Sequence, residues 1–314
     1  MRLSSVTMNT ATLLPLFNKE QERPSQELVR SPMNYIGGKF KLLPQILPHF
    51  PNNVNVFVDL FCGGCNVGIN AEASQVVFND NLTYLIDLYK VMYSSSIDVI
   101  LNHIRNRISE FSLSLTNNDG YIALRKLYND NRNPLDLFVL VAYSFNHQIR
   151  FNTSHDFNNP FGKERSSFNP RMENNLIAFI QKLQSRFVSF SSSNFDDFDF
   201  AKLTINDFVY CDPPYLITTG SYNDGKRGFT GWNKSHEIKL LSILDDLNNR
   251  GVRFALSNVL IHKGNQNNLL AEWLEANDYF VHHLYMNYSN SSYHLKDRGA
   301  TVTDEVLITN YVGQ

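Results

Sequence analysis

The chain has 314 residues, 43% of them hydrophobic and 18% charged, with a formal net charge of −2. This composition excludes a fibrous or wholly disordered protein, and the length holds one large α/β domain with a smaller one inserted or appended. The near-neutral charge excludes a strongly basic, non-specific nucleic-acid coat while leaving room for binding through one local face.

No apolar run approaches a membrane span, and the first residues lack the basic start and apolar centre of a signal peptide, so no membrane partner and a cytoplasmic location are expected. Three cysteines, Cys62, Cys65 and Cys211, are too few for a disulfide framework, and Cys62 with Cys65 forms only half of a zinc or redox pattern. They are expected to be reduced and structural, with no metal required.

In chain order, residues 1–32 mix Ser, Thr, Asn and charges and read as a loosely ordered leader. Residues 54–60 are β-branched and aromatic and break at Gly63-Gly64, the pattern of a buried strand entering a tight turn. A helix is expected over 66–73 and a short strand over 76–80, ending in Asp80. Residues 81–111 carry apolar positions at helical spacing and predict one or two helices. Helical character continues over 121–128 and 135–145, and 146–170 is a long polar and aromatic loop.

Strand patterns resume at 187–190, 208–211, 252–257, 279–285 and 305–311, with a helix over 235–250 closed by Gly251. Alternating strands and helices predict a largely parallel sheet covered on both faces. Residues 94–184 interrupt the alternation and read as an inserted helical module. Between Tyr121 and Phe190 there are nine Lys or Arg against five Asp or Glu, whereas Asp196, Asp197, Asp199, Asp207 and Asp212 cluster afterwards. A local DNA-facing surface requires such unevenness, and an ordinary solvated surface also produces it.

Three segments carry chemistry. Val209-Tyr210-Cys211 empties into Asp212-Pro213-Pro214-Tyr215. An adenine amine is a poor nucleophile because its lone pair is delocalised, so a catalyst must accept its N–H protons and aim the nitrogen. Asp212 and the Pro213 carbonyl suit that task, the prolines fix the carbonyl, and Tyr215 offers a face for an extruded base. An acid and prolines also end ordinary strands. The second segment, Asp59-Leu60-Phe61-Cys62-Gly63-Gly64, leads a strand into a glycine turn that lets backbone approach a cofactor, and Asp80 stands about where an acid binds ribose hydroxyls. It lacks the Gly-x-Gly-x-x-Gly dinucleotide pattern and is also compatible with a packing turn. The third is Tyr35-Ile36-Gly37-Gly38-Lys39, where Lys39 can reach a carboxylate and Tyr35 a purine; a plain surface turn reads equally well.

Taken in this order, the segments resemble the Dam-type (alpha-class) adenine-N6 DNA methyltransferases of bacteria and their phages, over residues 33–311. Asn158-Asn159-Pro160-Phe161-Gly162 is similar to that family's Phe-Asn-x-Pro-Phe-Gly, and Ser257-Asn258 to its Ser-Asn strand end. Two positions depart from the family pattern: Cys65 replaces a frequent second glycine, and Tyr35 a frequent Trp.

The resemblance implies a Rossmann-like class I methyltransferase sheet, mostly parallel with about seven strands, the last antiparallel. It implies a catalytic domain of residues 33–93 and 185–314 that binds S-adenosylmethionine, and an inserted DNA target-recognition domain of residues 94–184. Asp212, Pro213, Pro214 and Tyr215 are then catalytic. Tyr35, Gly38, Lys39, Asp59, Phe61, Gly63, Asp80 and Asp212 bind the cofactor, and Arg150, Asn152, Asn158, Phe161 and Arg171 meet DNA. Double-stranded DNA with a flipped adenine is the implied substrate, and the family admits a cognate restriction endonuclease acting on the same site as a partner. The rival readings are a methyltransferase of another planar amine, in RNA or a protein glutamine, and an inactive DNA-binding relative.

Overall fold

The computed structural model describes residues 27–35, 37–218, 231–285 and 303–313. Most of the expected leader, residues 1–26, lies outside them, as does Ile36 of the Tyr-Ile-Gly-Gly-Lys segment. After the short α1 (Leu43–Ile46) come β1 (Val56–Asp59) and β2 (Gln75–Asn79). Helices α2 (Thr83–Ser94), α3 (Ile97–Glu110), α4 (Asn118–Asn131), α5 (Pro134–Tyr143) and α6 (Pro170–Gln184) then precede β3 (Val188–Ser191) and β4 (Phe208–Cys211). The chain continues through α7 (Lys234–Asn249), β5 (Arg253–His262), β6 (Asn265–Gln266), α8 (Asn268–Glu275), β7 (Phe280–Leu284) and β8 (Thr303–Thr309).

The strands order as β3-β2-β1-β4-β5-β8-β7, with β6 pairing β5 at the side. The pairs from β3 to β5 are parallel. Strand β8 runs antiparallel between β5 and β7. This is the expected mostly parallel sheet with the last strand reversed. The chain winds one way from β1 to β3 and the other way from β4 onward, so the order reverses between β1 and β4. In open α/β sheets a ligand crevice forms at the carboxyl ends of the strands beside such a reversal.

Local sequence explains most element ends. Asn117, Asn133, Asn169, Asn233 and Asn267 each accept a main-chain N–H with their side chain at the start of α4, α5, α6, α7 and α8. Asn is a favoured N-cap because its oxygen satisfies a donor left open by the helix. Pro134 and Pro170 then occupy first-turn positions where a missing N–H costs nothing.

Helix α5 is buried at every residue from 135 to 143, and α2, α3 and α4 all pack on it. Its one acid, Asp136, is tied through Oδ1 to Arg107 Nε at 2.8 Å and His103 Nε2 at 2.7 Å, as a buried charge requires. Apolar residues of these helices and of β1 to β4 belong to one continuous core.

The expected helix over 66–73 is corrected: the segment is a run of turns. The Gly68 N–H, in the first turn where a helix leaves its donors open, is taken by Asp59 Oδ2 at 2.9 Å. Arg186 takes the carbonyls of Gly68 and Ile69, both at 3.0 Å. Asn66 and Asn70 accept from Ser31 and Val29, pinning the segment that leads to Tyr35. A Cβ at Gly68 would stand 2.6 Å from Phe78 Cε1, so only glycine lets this run lie against the sheet. Helices α6 and α8 and the extension of β5 to His262 go beyond the sequence reading. None of the described helices is long and apolar enough to cross a membrane.

Candidate active site

Asp59 closes β1 and Asp212 follows β4, neighbours across the reversal in strand order. Beyond Asp59 the chain turns tightly: Gly63 has φ +43° and Cys65 φ +57°. Asp80, just past β2, accepts the Gly63 N–H on Oδ2 and the Leu82 N–H on Oδ1, both at 2.9 Å. Tyr89 donates its hydroxyl to the Gly63 carbonyl at 2.8 Å. Tyr35 lies over this turn, so close that a Cβ on Gly63 would stand 2.8 Å from its Cδ1. Gly38 donates its N–H to the Tyr35 carbonyl, which carries the chain back toward Asp212.

Lys39 is only 4% exposed. Its Nζ donates to the Gly37 carbonyl at 3.0 Å and pairs with Asp212 Oδ1 at 2.8 Å and Glu305 Oε1 at 3.5 Å. It also sits 5.0 Å from the centre of the Tyr215 ring. The Tyr215 hydroxyl lies 3.1 Å from Asp212 Oδ1 and 3.0 Å from Glu305 Oε1. Both contacts of Asp212 use Oδ1, and its Oδ2 has no hydrogen-bond partner among the described residues.

These groups surround a cavity of about 1000 Å³. One part of its wall is Lys39 and Asp212 with Pro213 and Pro214; Tyr215 is buried, its hydroxyl engaged as above. Another part is the Phe61 to Gly64 turn with Asp80. A third is aromatic: Phe195 lies 5.6 Å from Phe61 and 5.2 Å from Trp232, and Trp232 is edge-on to Phe61 at 5.7 Å. Trp232 is held there by its Nε1–H, which donates to the buried Glu237 at 2.6 Å. An aromatic wall of this kind suits a planar ring.

The cavity's electrostatics favour a cation. Burial pushes the Asp80 and Asp212 carboxyls above the usual carboxylate range, with Lys39 pulling Asp212 back down. Burial likewise pushes Asp59 up to about 7, against the Gly68 N–H, with the Asp212 and Asp80 charges adding to the rise. A positively charged ligand among these acids would restore their ionised forms. Among the described residues no group of three or more His, Cys, Asp or Glu is placed to hold a metal ion.

A glycine turn after β1, an acid after β2 and Asp-Pro-Pro-Tyr after β4 thus meet in one cavity at the strand reversal. Residues 35–290 match the model of the D12 class N6 adenine-specific DNA methyltransferases. The chain belongs to that family. It is 51% identical over 300 residues to the modification methylase StsI of Streptococcus sanguinis, covering 96% of this chain and 46% of that protein. It is 53% identical over 283 residues to the type II methyltransferase M.FokI of Planomicrobium okeanokoites, covering 90% and 43%. A DNA adenine methylase of Salmonella typhimurium is 26% identical over 234 residues, covering 73% and 80%. The chain therefore spans less than half the length of the first two relatives.

Within this D12-class chain the structure brings together the cofactor residues named from sequence: Tyr35, Gly38, Lys39, Asp59, Phe61, Gly63, Asp80 and Asp212 all line the cavity. The five residues assigned to DNA are more dispersed. Arg150 lines the cavity beside Ile149 and Phe151. It opens a narrow hairpin in which Asn158 N donates to the Arg150 carbonyl and Phe151 pairs with Phe157. Asn152 Oδ1 accepts from the main chain of Ser154 and Asp156, shaping the tip. Asn158 Oδ1 is buried with no hydrogen-bond partner among the described residues. Phe161 packs on Tyr121 at 5.4 Å, and Arg171 is exposed at the start of α6.

Sequence reasoning passed over Phe195, Trp232 and Glu305. Glu305 did carry a signal, an acid directly before Val306-Leu307-Ile308 in a buried strand.

Asp59 makes a pH prediction. An acid whose pKa is higher folded than unfolded stabilises the fold fully below its unfolded value, here 3.8, and that contribution is lost as pH rises to about 7. Asp59→Asn keeps an oxygen for the Gly68 N–H but has no charge to form. The variant is expected to gain stability relative to wild type between those two pH values, read from denaturant midpoints. A difference that stays flat across that window would contradict the assignment.

Proposed function

We propose that this chain is a site-specific DNA adenine-N6 methyltransferase that uses S-adenosylmethionine and acts on a flipped adenine in double-stranded DNA. The observation that carries the reading is Asp212, anchored through Oδ1 by Lys39 while Oδ2 has no hydrogen-bond partner among the described residues, at the wall of a cavity lined by buried acids. S-adenosylmethionine would supply a methyl group on a cationic sulfur. Its sulfonium and ammonium suit the acids, its ribose suits Asp80 beside the Gly63 turn, and its adenine suits the aromatic wall of Phe61, Phe195 and Trp232.

Asp212 and the Pro213 carbonyl would accept the N–H groups of the target amine and orient its nitrogen. Lys39 keeps the Asp212 side chain from turning, and Pro213 and Pro214 fix the main chain that follows. The insert of residues 94–184 would grip the duplex, with the hairpin from Arg150 to Asn158 reaching from it to the cavity mouth and Asn152, Phe161 and Arg171 shaping or flanking that surface. The names of the relatives, a modification methylase and a type II methyltransferase, support a cognate restriction endonuclease acting on the same site as a partner.

The test is incubation with methyl-labelled S-adenosylmethionine and unmethylated duplex DNA, followed by digestion to nucleosides. Label in N6-methyldeoxyadenosine is expected. Label in cytosine, RNA or protein alone, or in nothing, would overturn the reading.

A further inference from the structure

Glu305 sits on β8, opposite Val259 of β5 and Leu284 of β7, and is 9% exposed. A carboxylate in that position is costly unless it is paired. Its partners are Tyr215 and Lys39, the same two groups that hold Asp212. Asp212 Oδ1, Lys39 Nζ, Glu305 Oε1 and the Tyr215 hydroxyl therefore close a ring. The ring has two carboxylates for one ammonium and one hydroxyl proton, so neither Lys39 nor Tyr215 belongs to Asp212 alone.

We propose that Glu305 is a positioning residue for methyl transfer, acting through Lys39 and Tyr215 to hold Asp212 by one oxygen and leave the other for the substrate amine. The proposal rests on the methyltransferase reading above. Without Glu305 the ammonium loses one of its carboxylate partners, and Asp212 can rotate to meet it with both oxygens. The Tyr215 hydroxyl, at the same time, loses one end of its tether. The strand order makes this arrangement: β8, inserted between β5 and β7, carries an acid from the end of the chain to a loop ninety residues earlier.

The charged and titratable groups facing Asp212 are Lys39 from the amino-terminal segment, Glu305 from β8, Tyr215 from its own loop, Tyr210 from β4 and Asp59 from β1. The Glu305 charge pushes the Asp212 carboxyl up, and Lys39 and Tyr215 pull it down. Removing that charge therefore moves the acid limb of the rate profile to lower pH, which a mere packing defect would not do.

The experiment compares the full chain with Glu305→Gln and Glu305→Ala, using labelled S-adenosylmethionine and unmethylated duplex DNA. It measures kcat, donor KM, melting temperature and the pH dependence of kcat. The alanine variant is expected to lose about 10²-fold in kcat with donor KM changed less than about threefold, and the glutamine variant to fall between it and wild type. Both acid limbs should lie at lower pH than that of wild type. Wild-type kcat in both variants, or a parallel loss of kcat, donor affinity and melting temperature with an unmoved limb, would overturn the role of Glu305. A wild-type chain that transfers no methyl group would overturn the underlying reading and this one with it; an active wild type isolates Glu305.

Discussion

Asp212→Ala is expected to lower methyl transfer by about 10²- to 10³-fold, the range seen when one aligned polar group is removed from a reacting centre. The substitution takes away the oxygen that meets the amine. It also takes from the buried Lys39 ammonium its 2.8 Å carboxylate partner, with Glu305 the more distant carboxylate at 3.5 Å. Losing one partner of a buried pair costs about 3–5 kcal/mol, so part of the effect could enter through stability. Asp212→Asn separates the two, because it preserves shape and an oxygen for Lys39 while removing the charge. Steady-state rates read beside melting temperatures should show both variants deeply impaired and the asparagine variant the better folded. A rate within tenfold of wild type for Asp212→Ala would remove Asp212 from the chemistry.

Gly63→Val is expected to weaken donor binding by at least about 10²-fold, equivalent to about 2.7 kcal/mol. The residue has φ +43°, which a β-branched side chain rarely adopts, and its Cβ would meet the Tyr35 ring at 2.8 Å. Relief requires Tyr35 to swing off the cavity wall or the turn to open, and opening breaks the Gly63 to Asp80 hydrogen bond. Gly264→Ala is the control: φ is +80°, but nothing lies within 4 Å of its Cβ, and it stands in the turn between β5 and β6. It should cost some stability and leave donor affinity unchanged, both read by titration calorimetry and thermal melts. Equal donor affinity in wild type and Gly63→Val would place the donor elsewhere.

The parts of this site that were legible from sequence are those fixed by local pattern. Asp59, Asp80 and Asp212 each close an apolar, β-rich run, and a parallel sheet delivers strand ends to one edge whatever the order of its strands. The parts that were not legible depend on long-range pairing. Glu305 reaches Tyr215 only because β8 enters the sheet between β5 and β7, an order that no window of sequence encodes. Trp232 joins Phe61 and Phe195 because Glu237, on the first turn of α7, holds its indole. The helix expected over 66–73 fails because Arg186, more than a hundred residues downstream, takes the Gly68 and Ile69 carbonyls that a helix would spend on its last turn. Asn152 lies in the segment that the resemblance assigns to DNA, and its side chain caps the turn of its own hairpin, a role set by that hairpin's pairing.

The most direct test of where the chemistry happens is a crystal structure of the chain with S-adenosylhomocysteine and an unmethylated duplex. The account predicts the ribose beside Asp80, the adenine ring of the cofactor against Phe61, Phe195 and Trp232, and an extruded adenine with its amine facing Asp212 Oδ2. A cofactor bound outside the cavity between β1 and β4, or an extruded base whose amine makes no contact with Asp212, would contradict it.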